Sequence, residues 1–112
     1  MSNYQNVTPV KLAAAAVTAS YATVYTTPLL TRTYLKNINV CNTTSGALTI
    51  FISIVPKLGT AGADNALYYG YSIAANSTLS WSGVQIMNPA DMLQVKGSST
   101  GLTIIASGGE AV

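Results

Sequence analysis

An all-β fold, an antiparallel β-sandwich of jelly-roll type with seven to eight short strands, is predicted by three features of this 112-residue sequence. Turn-forming residues return about every ten positions beyond Ser20. The segments between them are rich in Val, Ile, Thr and Tyr, which suit a pleated, half-buried surface. One segment, "ALTIFISIVP", alternates strictly, with Leu48, Ile50, Ile52 and Ile54 on one face and Thr49, Phe51, Ser53 and Val55 on the other.

The chain is long enough for one domain and too short for two. Its first nineteen residues stand apart from the strand pattern. "LAAAAV" has high helix propensity but is too short to hold a helix alone, so residues 1–19 are expected to form an arm on a neighbouring subunit, with a disordered tail as the alternative, and residues 20–112 the sandwich. Lys11 ahead of the Ala-rich run gives "VKLAAAAVTASYA" a faint likeness to a signal peptide, but "MSNYQNVTP" carries no positive charge, and the segment is read as part of the mature chain.

The strands follow in order. "SYATVYTTP" alternates Tyr21, Thr23 and Tyr25 against Ala22 and Val24, and ends at Pro28, which has no amide hydrogen for a ladder. "TRTYLKNINVCN" sets Tyr34, Ile38 and Val40 against Leu35, Asn37, Asn39 and Cys41. Lys36 falls on the apolar face of that register, which calls for a bulge or an edge position. "TTSG" makes a turn in which Gly46 is free to adopt positive φ, and "ALTIFISIVP" follows as the main core strand. "KLGTAGADNA" is a long connection of small residues. "LYYGYSI" aligns Leu67, Tyr69, Tyr71 and Ile73, "AANS" turns the chain, and "TLSW" places Leu79 and Trp81 two apart. "GVQIM" reads as a short strand through Val84 and Ile86, followed by a turn at "NPAD", where Pro89 suits the second position of a type I turn. Leu93 and Val95, a turn at "SSTG" and a last strand "LTIIASGGEAV" complete the domain.

Composition limits function more sharply than any motif. Charged residues make up 7% of the chain, five basic against three acidic, where about 25% is usual. A soluble monomer keeps a charged surface so that copies repel one another; this chain offers Ser, Thr, Asn, Gly and Ala instead, and much of its surface is expected to be covered by other subunits. Expected contacts are Tyr4, Val10 and Leu12 on the arm, and Phe51, Val55 and Tyr68 on the strands. Five scattered basic residues make no stripe for a phosphate backbone, so nucleic acid is not an expected partner. No apolar run reaches the ~18 residues of a membrane-spanning helix.

The chain has one Cys and no His, which removes the common zinc sets and the Ser–His and Cys–His pairs. Cys41 reads as a small apolar residue in a hairpin. Asp64, Asp91 and Glu110 each lie in or beside a turn, where carboxylates ordinarily cap or face solvent; Asp64 and Asp91 as an acid/base pair, or as calcium ligands helped by loop carbonyls, are the weaker reading. The expectation is a protein that is not an enzyme, with no cofactor and no metal. Sequons at Asn6, Asn42 and Asn76 are expected by chance in a chain this rich in Asn, Ser and Thr. Tyr68, Tyr71 and Trp81 form the one candidate for a sugar-stacking platform, set against the simpler use of aromatic residues in sheet and subunit contacts.

The order "TVYTTP", "YLKNINVCNTTSGALTIFISIV", "LYYGYSIAANSTLSW", "PADMLQVKGSSTGLTIIASGGE" resembles small virion structural proteins of tailed bacteriophages over about residues 23–110. The shared pattern is a tyrosine-containing strand ending at Pro, a strand closing on Cys-Asn, a hairpin into an apolar strand, a turn before Asp-x-Leu-x-Val, and a last strand ending in Gly-x-Glu. The resemblance implies a β-sandwich capsid decoration or cement protein, or a neck or tail component, often trimeric, located on the virion and made in the host cytoplasm. Its implied partners are copies of itself and the major capsid protein or another virion protein. A carbohydrate-binding, receptor-binding module is the alternative of a different class.

Overall fold

The computed structural model describes residues 6–112, which form eight strands: β1 Val7–Val17, β2 Ala22–Thr26, β3 Arg32–Asn42, β4 Leu48–Val55, β5 Ala66–Ile73, β6 Thr78–Met87, β7 Met92–Gly97 and β8 Leu102–Ala111. A single 3-10 turn, Ala63–Asn65, precedes β5. The strands make two four-stranded sheets, in the orders β1-β8-β3-β6 and β2-β7-β4-β5, and every pairing is antiparallel. The chain passes from sheet to sheet at every connection except the one between β4 and β5, and its first and last strands lie side by side. This is a jelly-roll sandwich.

The core forms where the inward faces meet. Leu35, Ile38 and Val40 of β3, Ile50 and Ile52 of β4, and Leu102 and Ile104 of β8 are each 1% exposed or less. Leu48 and Ile54 are half-buried against that cluster, so the expected face of β4 faces the core. At about 25 cal/mol per Å² of apolar surface removed from water, such side chains supply the main driving force for closing the sandwich.

The expected arm is a strand of the first sheet. Residues 7–17 pair with β8 along their whole length. A bulge at Leu12, where the register steps from Lys11 to Ala13, hid this in the sequence. Thr8 and Val10 share a face with Ala13, Ala15 and Val17 only when Leu12 is skipped, so no single period of two runs through the segment. Pairing with β8 also provides partners for backbone groups that a free six-residue helix would leave to water.

Bulges correct two further registers. The one expected near Lys36 is present, between Leu35 and Asn37; Leu35 therefore joins Ile38 and Val40 in the core, while Tyr34 faces outward. In β5 a register shift at Gly70, whose φ is 75°, separates Tyr69 from Tyr71: Tyr69 lies beside Phe51 on the outer face, Tyr71 beside Ile50. The turn at Asn88–Asp91 is type II, since Ala90 has φ of 71°. Gly46 does not adopt positive φ; its carbonyl accepts a hydrogen bond from the Asn42 side-chain amide.

Candidate functional site

Four exposed apolar side chains share the outer face of the β1-β8-β3-β6 sheet, while Leu29, Leu30 and Leu58 stand on loops and Tyr69 and Tyr71 on β5. Val7 (56% exposed), Val84 (55%), Ile105 (52%) and Ile86 (46%) all belong to its strands. Register places Pro9, Gly109, Tyr34 and Ile86 in one row across the four strands, and Ala14, Ile105, Asn39 and Ser80 in another. Between Val7, Pro9, Tyr34, Lys36 and Val84 runs a groove of about 470 Å³, continued past Lys11 and Ile105 by a second depression.

Two glycines set the floor of this groove. A Cβ on Gly108 would lie 1.9 Å from the Tyr34 carbonyl oxygen, and one on Gly109 2.9 Å from a methyl group of Val7. Only glycine lets β8 pass so close to the bulged stretch of β3 and to the start of β1. Lys36, bulged out of its ladder, is exposed at the rim. The result is an apolar surface with two ammonium groups at its edge, able to bury against a matching apolar surface.

The outer face of the second sheet carries an aromatic cluster of its own, in which Tyr69 stays 62% exposed. Lys96 Nζ lies 4.5 Å from the centre of the Phe51 ring and 5.2 Å from that of Tyr21. Phe51 meets Tyr69 edge-on at 5.2 Å and Tyr21 at 6.5 Å. Cation and rings satisfy one another there. Farther along β4, Ser53 and Val55 are fully buried on the outward side because the following loop turns back, with Gly59 donating to the Pro56 carbonyl and the 3-10 turn packing on β4.

Of the residues expected at subunit contacts, Val10 lines the second depression. Tyr4 lies outside the described residues. Leu12 is 7% exposed and Val55 is 0% exposed, so neither is available to another subunit. Val10 and Tyr68 pack against the core, and Phe51 sits in the aromatic cluster. The outward apolar positions did leave a signal: Ile104 and Ile105 are consecutive, and adjacent residues of a strand cannot share a face.

Other candidates take local roles. Asp91 accepts the Asn88 amide across its turn at 2.9 Å. Glu110 accepts a short hydrogen bond from the Tyr25 hydroxyl, which in turn is 2.7 Å from Thr33 Oγ1. This link ties β2 of one sheet to β3 and β8 of the other. Burial, reinforced by the Glu110 carboxylate, pushes the Tyr25 hydroxyl up from 10.0 to about 12. Among the described residues no three His, Cys, Asp or Glu side chains gather as a metal site would require. Tyr68 and Tyr71 touch at 5.3 Å with planes tilted by 55°, and Trp81 is packed on the core, so the three do not make one flat platform. Asn42 is 0% exposed, which closes that sequon in the folded chain. Cys41 is half-buried on the outer face, between Thr78 and Thr103. No helix among the described residues is long and apolar enough to cross a membrane.

No family model matches the chain, and neither does any curated protein. Solved structures do match. A chain of infectious bursal disease virus, Gx strain, superimposes with a TM-score of 0.55 at 12% identity, over 99% of this chain and 33% of the viral one. A VP2 subviral particle of the same virus gives 0.51 at 12% identity, over 99% and 33%. A subunit of the disulfide-linked pili that form Bacillus endospore appendages gives 0.50 at 17% identity, over 95% and 88%. The chain thus spans about a third of the viral chains it matches and most of the pilus subunit. At these identities the likeness is one of fold, and the shared fold is the jelly-roll sandwich.

Proposed function

We propose that this chain is a structural subunit of a virion, a decoration or cement component that bridges neighbouring capsid subunits and performs no catalysis. One observation carries the reading: an exposed apolar sheet face, bearing Val7, Val84, Ile86 and Ile105, on a chain with only 7% charged residues. Such a face has a cost in water and a use in an assembly. The jelly-roll likeness to a viral particle protein and the resemblance to tailed-phage virion proteins support the same reading. Copies associate as trimers over local threefold positions of the major capsid protein. Each contact of standard size buries about 1,600 Å², and repetition over a shell makes modest contacts collectively strong.

The test is the protein content of purified particles of the virus that encodes the chain. Hundreds of copies per particle are expected from a cement protein, and a few tens would assign it to neck or tail. Absence from the particle would overturn the virion reading. A second reading, subunit of a surface filament, is favoured by the match over 88% of the pilus subunit; it predicts filaments built from this chain alone.

A further inference from the structure

We propose that copies of this chain join head to tail through strand edges, Ala13–Ala16 of one copy pairing with Thr78–Trp81 of the next and extending the β1-β8-β3-β6 sheet. The proposal deepens the assembly reading above and rests on it.

β1 and β6 are the outermost strands of that sheet, so each has a ladder partner on one side only among the described residues. Natural edges are blunted by Pro, Lys, bulges or shortness. Here all such devices crowd into one half of the sheet. Pro9, Lys11 and the Leu12 bulge occupy the first part of β1, and the irregularity of β6, opposite Leu35 and Asn37, takes in Gly83 and Val84. In the other half, "AAAA" at 13–16 and "TLSW" at 78–81 are uncharged, free of proline and regular in register. Each edge runs for about 14 Å at roughly 3.4 Å per residue. The second sheet has no equivalent pair, because β2 is five residues with a register shift at Val24 and β5 is shifted twice.

Direction and side-chain size select the partner edge. The strands of the sheet alternate in direction, so β6 of one copy meets β1 of the next antiparallel, as every other pairing in the sheet is. Rows run Ala13, Ala106, Ile38, Trp81 and Ala15, Ile104, Val40, Leu79. Continued without stagger, they set Trp81 beside the next copy's Ala13, and Leu79 beside its Ala15. Trp81 and Leu79 are half-buried and Ala15 is exposed; pairing covers all three, large against small. A twofold contact through β6 would crowd Trp81 against Leu79, and one through β1 would leave alanine facing alanine. A head-to-tail contact closes into a ring or grows into a chain, according to the rotation between copies.

The experiment uses the purified full chain without capsids, sized by analytical ultracentrifugation across a concentration series, with amide hydrogen exchange on the same samples. Species larger than dimers are expected, with protection rising together in residues 13–16 and 78–81. Ala15→Lys points a charge inward along the edge at an exposed position, and should lose all species above monomer without a change in melting temperature. Leu79→Lys should block assembly from the other edge, with a lower melting temperature because Leu79 packs on the core, and an equimolar mixture of the two variants should form dimers that neither forms alone. A wild-type monomer, a closed dimer, or association without protection of these two segments would overturn the proposal. A chain that stays monomeric in solution yet is abundant in particles overturns edge pairing and leaves the virion reading standing; one that assembles but is absent from particles does the reverse.

Discussion

Asn42 shows how much one polar side chain holds together. Its amide donates to the Gly46 carbonyl at 2.9 Å and the Ile73 carbonyl at 3.0 Å, while its oxygen accepts from the Thr44 amide and hydroxyl at 3.0 and 2.7 Å. It therefore builds the β3–β4 turn and ties it to the end of β5. Asn42→Ala leaves several buried groups unpaired and is expected to cost about 3 kcal/mol in chemical denaturation; an unchanged midpoint would mean that water replaces the amide. A turn-forming Asn was legible in "CNTTSG", but its burial was not, since the Ile73 partner is thirty-one residues away. Tyr25 is the second such residue. Its hydroxyl bridges the two sheets through Thr33 and Glu110, and Tyr25→Phe should cost about 1 to 2 kcal/mol. The folded chain holds the Tyr25 proton more tightly than the unfolded chain, with a pKa raised from 10.0 to about 12. Its contribution is thus complete below pH 10 and lost as pH rises toward 12. Melting temperature followed through that window should fall more steeply for the wild type than for Tyr25→Phe.

At the scale of elements, β4 behaves as its alternation foretold, whereas the hairpin expected of residues 38–55 does not form: β3 and β4 lie in different sheets, joined by a turn that crosses between them, and β3 is one of the bulged strands. Ile52 is 0% exposed at the centre of β4, and Ile52→Asp places an unpaired charge in the core, so soluble folded protein should be lost altogether. Cys41, half-buried on the outward face of β3, has its neighbours in two threonines, and Cys41→Ser should shift stability by less than about 0.5 kcal/mol. A cooperative melt of Ile52→Asp, or a collapse of Cys41→Ser, would reverse the assignment of faces. Regular strands announce themselves because the side-chain period is two. One inserted residue moves everything after it to the opposite face, which is why Leu12 concealed β1 and Gly70 split Tyr69 from Tyr71. Lys36 was the exception: a charge on an apolar face exposes its own bulge. The outer groove was legible only in fragments, through consecutive Ile104 and Ile105, because its floor needs Gly108 beneath the backbone of Tyr34, a contact between strands distant in sequence.

The whole molecule combines a closed core with an outer surface poor in charge, and that combination sets the physics of whatever it attaches to. The net charge is +2, and two cations, Lys11 and Lys36, line the grooves of the apolar face. If attachment runs through apolar burial, salt will not release it, because apolar association lacks the screening that weakens exposed ion pairs. Attachment steered by the two lysines would instead fall as ionic strength rises. Ile86 and Ile105 are half-exposed, so Lys at both positions removes apolar area from the face without opening the core. The double variant Ile86→Lys with Ile105→Lys should keep the wild-type melting temperature and lose cosedimentation with particles. Wild-type cosedimentation should hold from about 0.05 to about 0.5 M salt. Retention by the double variant, or release of the wild type by salt alone, would move the contact from this sheet face to another part of the surface.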